Sequence, residues 1–179
     1  MSVATAPAPA GAITTATLGV DMRALLDQLN EVIELEQLAT DVYGSTARRL
    51  PEMAMQAKAL EFRAGAERGR DAARALVRML GKQPAPAKQS LAGTLGRARG
   101  ALSAGRSGRL GALKNLQDML LAAFLTAEAW TLVQQAAYAI GDPRLIETAE
   151  QEAGLKSMPL QWLLQTVAER SPWAILTPS

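Results

Sequence analysis

Hydrophobic positions recur every three or four residues over four long stretches of the chain, the spacing that lays an apolar stripe along one side of an α-helix. In the first stretch, from residue 21 to about 49, Leu25, Leu29, Val32, Ala39 and Tyr43 share one side, and Glu36 lies in the middle of them. Asp27, Glu31, Glu34 and Asp41 fall opposite, and Asp21 suits the N-cap. Pro51 suits the first position of a second helix running to Leu80 and stopped by Gly81. Its stripe is Met55, Ala59, Phe62, Ala66, Gly69, Ala73, Leu76 and Leu80, without an acid. A third helix is predicted over about 112–140, with Leu113, Leu116, Leu120, Phe124 and Thr131 on its stripe and Gly141 at its end. Asp142 and Pro143 then open a fourth, continuing to about residue 170 along Leu145, Ala149, Ala153, Leu160, Leu163 and Val167, with a kink expected at Pro159.

The links between the first and second helices and between the third and fourth are short, so each pair is antiparallel, while the second and third are joined by a long crossover, 81–111. Within it, residues 90–102 predict a short extra helix with Leu91, Leu95 and Leu102 facing inward, weakened by the glycines that recur from Gly93 to Gly111. The predicted fold is therefore all-α, an up-down four-helix bundle over 21–170 with a long crossover. Residues 1–20 read as a flexible Ala/Pro/Thr-rich arm and 171–179 as a tail with an exposed Trp173; both could dock on other subunits.

Composition removes much chemistry. The 179 residues contain no cysteine and no histidine, which excludes disulfides, thiolate nucleophiles, imidazole acid–base catalysis and nearly every familiar zinc site. There is no Gly-rich phosphate loop and no nucleophile–base pair, so no catalytic residue is predicted. The first twenty residues lack the pattern of a secretory signal, and the apolar run 119–127 is far shorter than the roughly 20 residues that span a bilayer, which leads to the expectation of a cytoplasmic protein.

Charge is unevenly placed. Residues 72–117 carry nine Lys/Arg and no acid, so with a total of +2 the rest of the chain stands at −7. A basic belt of Arg97, Arg99, Arg106 and Arg109 could meet an acidic partner, but no aromatic residue is interleaved to stack on bases, so nucleic acid is not expected.

Three acids are aimed at the core or its margin. Glu36 sits centrally on the first stripe, Glu128 is the only acid between Asp118 and Asp142 and flanks the third, and Glu152 lies one turn before Lys156 on the fourth. Buried carboxylates need partners.

The segment LNEVIELEQLATDVY, with Glu36 and Tyr43, the stretch RALVRMLGKQPAPAKQSLAGTLGRARGAL and the region around Glu128 are similar to the ferritin-like superfamily, closest in pattern to YciF-type stress-response bundles, over roughly residues 21–168. Members of that superfamily hold two metals with one Glu from each of two helices and a Glu-x-x-His from each of the other two. The resemblance matches Glu36 and Glu128 to the single glutamates. It places Ala66 and Gly69 at the lost ligand positions of the second helix, and in the fourth it retains Glu152 but has Leu155 or Lys156 near the histidine position. It implies a degenerate site in which Glu36, Glu128, Glu152, Lys156 and Tyr43 form a core charge cluster, neutralised by lysine in place of metal. The expected role is a non-catalytic structural or partner-binding subunit without cofactor, in a homo-oligomer or larger assembly. The alternative is a carboxylate-only iron or manganese site on Glu36, Glu128 and Glu152, serving metal or oxidative-stress handling.

Overall fold

A computed structural model of the chain describes residues 21–88, 90–102, 106 and 108–176, with side chains at all of these except 99–102. The expected N-terminal arm and the last three residues lie outside them. The protein is all-helical, with α1 (Met22–Ala47), α2 (Met53–Met79), α3 (Leu91–Leu102), α4 (Gly108–Ile140) and α5 (Pro143–Leu176), and no strand among the described residues.

The helix ends follow from local chemistry. The Asp21 carboxylate accepts the free N–H groups of Arg23 (2.9 Å) and Ala24 (3.2 Å), and Asp142 does the same for Arg144 (3.0 Å) and Leu145 (3.2 Å) at the start of α5. Gly81 and Gly141, with φ of 72° and 75°, take the left-handed conformation that closes α2 and α4. Three boundaries depart from expectation. α2 starts at Met53 rather than Pro51. α4 begins four residues before Ala112, at Gly108. α5 runs past Arg170 and through Pro172 to Leu176, so most of the supposed tail is helical. There Trp173 is 43% exposed, with the Arg109 guanidinium 4.5 Å from its ring centroid.

The four long helices pack in a closed cycle, α1 against α2, α2 against α5, α5 against α4 and α4 against α1, while α3 lies on α1. Their inner faces form two apolar clusters. One gathers Leu25, Leu29, Val32, Leu76, Val77, Val133 and Leu145, and the other Val42, Tyr43, Met55, Phe62, Leu116, Met119 and Leu163. The stripes of α1, α2 and α5 are the buried faces that periodicity predicts. That of α4 is so only at its start, where Leu113 and Leu116 are buried; further on Phe124 is 53% exposed and Thr131 is exposed, while Met119, Ala122, Thr126, Trp130, Val133 and Ala137 are buried. α4 is apolar almost all round, so spacing alone did not select its inner face. It is also apolar enough over an 18-residue window (mean hydropathy 1.2) to cross a membrane by length and composition, and 44% of that window is buried in the fold; the shorter run 119–127 had not revealed this.

The crossover is fastened to the outer face of α1. Asn30 accepts from the N–H of Ala85 (3.0 Å), Glu34 from Ala87 (3.0 Å) and Asp27 from Lys88 (3.3 Å). Glu31 accepts from Leu91 (3.0 Å) and Ala92 (3.3 Å), capping the N-terminus of α3 from another helix. The side chain of α3 that turns inward is Ala92, 6% exposed, whereas Leu91 is 45% exposed and Leu95 half-buried. The Leu102 side chain lies outside the described residues. Three of the four acids opposite the α1 stripe, Asp27, Glu31 and Glu34, are thus clamps for an extended linker, while Asp41 accepts from Gln37 on its own helix. Burial, partly offset by the N–H groups of Ala92 and Leu91, raises the Glu31 carboxyl above its ordinary range.

Candidate functional site

Between the two apolar clusters the four long helices meet in a thin polar layer: Glu36 from α1, Gly69 from α2, Trp130 from α4, and Glu152 and Lys156 from α5. Glu36 is 1% exposed. Its Oε1 accepts from the Trp130 indole N–H at 2.7 Å and lies 2.6 Å from the Lys156 ammonium. Lys156, 6% exposed, also lies 3.5 Å from Glu152 Oε2, an ion-pair distance without hydrogen-bond geometry, and 3.4 Å from the Gly65 carbonyl. The ammonium is therefore shared between two carboxylates, held most closely by Glu36.

Gly69 makes the arrangement possible. A Cβ at that position would stand 2.3 Å from Glu36 Oε1 and 2.4 Å from Lys156 Nζ, closer than real Cβ contacts come. The carboxylate and ammonium thus occupy space that any larger residue on α2 would fill. The neighbouring Ala66 is buried without a polar group, and Leu155, 42% exposed, lines the cleft beside the pair without supplying a polar group.

Burial dominates the electrostatics of Glu36 and raises its carboxyl above the ordinary range, with the Lys156 charge and hydrogen bond and the Trp130 N–H pulling it partway back. Oε2 of Glu36 is buried without a hydrogen-bond partner. Beside it, a cleft of about 60 Å³ between α2 and α5 is lined by Tyr43, Phe62, Thr126, Lys156 and Pro159. The Tyr43 phenol is pushed up, first by burial and then by the charge of Glu36. Its ring packs on Phe62, 5.9 Å between centroids.

Of the predicted cluster, the structure brings together Glu36, Glu152, Lys156 and Tyr43, with Gly69 and Ala66 beside them. Glu128 is not among them. It is exposed on the outer side of α4, in a groove with Asp27 and Glu31, because α4 turns Thr126 and Trp130 inward and residue 128 therefore faces away. The trio Glu36, Glu128 and Glu152 does not converge, and no group of three Asp or Glu among the described residues is placed to hold a metal ion. At the layer itself the cation position between the carboxylates is filled by a covalently attached ammonium, so the side chains present do not fit the superfamily's di-metal centre.

Trp130 escaped sequence reasoning, yet the signal was there. A buried indole N–H needs an acceptor, and Glu36 was the one acid assigned to the middle of a core face. The basic belt, by contrast, does not form one free patch. Arg106 pairs with Asp118 at 2.6 Å, Arg109 stacks on Trp173, Arg97 is exposed, and the Arg99 side chain lies outside the described residues. The acids and aromatic that engage it are supplied from beyond the acid-free segment.

Chemically, the layer offers two carboxylates, one ammonium and an indole N–H already engaged with one another, an arrangement that holds charge in place. Compared with protein-family models, curated proteins and solved structures, the chain matches none.

Proposed function

We propose that this chain is a non-catalytic, degenerate protein of ferritin-like architecture, acting in the cytoplasm as a structural or partner-binding subunit, in which Lys156 supplies the positive charge that a metal would otherwise bring to the bundle core. The observation that carries the reading is the Lys156 ammonium 2.6 Å from Glu36 Oε1, seated in the space that the absent side chain of residue 69 leaves open. Support for the architecture comes from the closed cycle of four long helices with short, long and short connections, the long one carrying α3. A tethered cation needs no loading step and cannot change oxidation state, so such a core is constitutively assembled and redox-inert.

Elemental analysis of protein purified from iron- and manganese-supplemented cells tests this. Substoichiometric metal, unchanged in Glu36→Gln, is the expected result, and iron or manganese at one or two equivalents per chain would overturn the reading in favour of metal handling.

A further inference from the structure

Among the described residues no element packs over the outer side of α4, whose exposed row mixes apolar and polar side chains. Its exposed positions 110, 114, 117, 121, 124, 128, 131, 135 and 138 advance by alternating fours and threes, the 3.5-residue repeat of a coiled-coil seam. Leu110, Leu121, Phe124 and Leu132 on or beside this seam are 54%, 47%, 53% and 47% exposed. α3 packs on α1 and flanks this face, where Leu121 lines a groove with Leu95, Ala98 and Arg106, and Glu128 and Leu132 line one with Leu91.

Two pairs of positions on or beside the seam are also complementary about Leu121. Lys114 lies seven residues before it and Glu128 seven after, while Leu110 and Leu132 lie eleven before and after. Lys114 and Glu128 are exposed, and neither forms an ion pair among the described residues. An antiparallel copy of the same helix, related by a two-fold axis through Leu121, would therefore set Leu121 against Leu121, each Lys114 against the other chain's Glu128, and each Leu110 against Leu132. This is the self-complementarity an isologous interface requires. At 1.5 Å per residue the stretch 110–132 is about 33 Å long, enough to form the spine of a small dimer interface.

We infer that the chain forms a two-fold symmetric homodimer through the outer face of α4, with Leu121 on the axis and reciprocal Lys114–Glu128 pairs flanking it. The inference stands on the outer face of α4 alone and is independent of the buried layer. It also gives Glu128 a partner and a reason to face outward.

Sedimentation equilibrium on the full chain tests it. Wild type is expected to dimerise in the micromolar range, and Leu121→Glu, which opposes two carboxylates on the axis, to weaken the dimer by at least about thirtyfold with helicity unchanged. Lys114→Glu and Glu128→Lys each place like charges opposite one another and should weaken self-association several-fold. The double swap should restore it, and mixing the two single variants should yield heterodimers. A wild type that stays monomeric at millimolar concentration, a dimer indifferent to the charge swaps, or a monomer that instead binds zwitterionic phospholipid vesicles through this face would each overturn the inference.

Discussion

Replacing Lys156 with methionine removes the ammonium while keeping most of the side-chain volume. Glu36, 1% exposed, would then retain only the Trp130 N–H, with its other oxygen already unpartnered. Removing one member of a buried ion pair costs about 3–5 kcal/mol, because the remaining charge is left in a low-dielectric interior. For a chain of this length each kcal/mol corresponds to about 2–4 °C, so Lys156→Met should melt some 6–20 °C lower. Glu36→Met should cost a similar amount, since Lys156 would keep only the more distant Glu152 and Gly65 oxygens. The double variant strands neither Glu36 nor Lys156, and its remaining defects are the unpaired Trp130 N–H, worth about 1–3 kcal/mol, and the Glu152 carboxylate, which has lost its ammonium neighbour. The singles should therefore sum to about 2–3 kcal/mol or more beyond the double, measured by urea unfolding followed by circular dichroism. The pH dependence has a definite sign. Burial raises Glu36 above its ordinary 4.5, so the folded chain binds that proton more readily than the unfolded one. The associated stability is present below pH 4.5 and is lost as pH rises through the folded value. Without Lys156 the carboxyl rises further, and the deficit of Lys156→Met should be small near pH 4 and widen toward neutrality. A variant as stable as wild type at pH 7, or a deficit that grows on acidification, would refute the buried ion pair.

Gly69→Ala brings a methyl group to within 2.4 Å of both members of the pair, displacing their ends, and should be a net loss in the same assay, the overpacking cost of about 1–3 kcal/mol outweighing the roughly 1 kcal/mol an alanine in a helix interior would otherwise gain. Glu31→Ala uncaps α3 and should loosen the crossover, seen as faster amide exchange and proteolysis across 85–102, with a stability loss of about 1–2 kcal/mol. Glu128→Gln, on the exposed side of α4, should change the stability of the monomer by less than about 0.5 kcal/mol, in contrast to Glu36→Gln; an equal loss for the two would mean that α4 is rotated relative to the arrangement described.

How far the sequence revealed this arrangement depended on how sharply each helix is divided. α1 and α5 mix acids, amides and leucines, so their stripes identified Glu36, Glu152 and Lys156 directly, and the stripe of α2 identified Gly69. The helix ends at Asp21, Gly81, Gly141 and Asp142 were equally legible because each has a local cause. α4 was misread because Ala, Leu, Phe and Thr fall on all its sides. Glu128 then drew attention as a lone acid, and Trp130, two residues on, was overlooked. The clamp of Asp27, Glu31 and Glu34 on the crossover was invisible for a different reason. Their partners are backbone N–H groups 53 to 61 residues away, and backbone donors leave no trace in residue identity.

A helix with two apolar faces could settle against α1 and α5 in more than one rotation, since dispersion and burial are nearly indifferent to which face turns inward. The polar layer breaks that degeneracy. Only one rotation of α4 brings the Trp130 N–H to Glu36, and only one pairing of α2 with α5 lines up the gap at Gly69 with Lys156. The contribution of the layer is therefore specificity of packing more than net stability, consistent with the small or negative balance of buried ion pairs. Trp130→Phe tests this separation. The six-membered ring is kept and the pyrrole edge is lost, so the loss should be the hydrogen bond to a charged group, about 1.5–3 kcal/mol, plus the cost of a small cavity. Its distinctive consequence should be the release of α4 to sample a second rotation. The expected signature is exchange broadening of α4 and α1 amide resonances on the microsecond-to-millisecond scale, with far-UV helicity intact. Sharp single resonances in Trp130→Phe, with the same stability loss, would mean that packing alone fixes the rotation of α4 and that the layer has no role in selecting it.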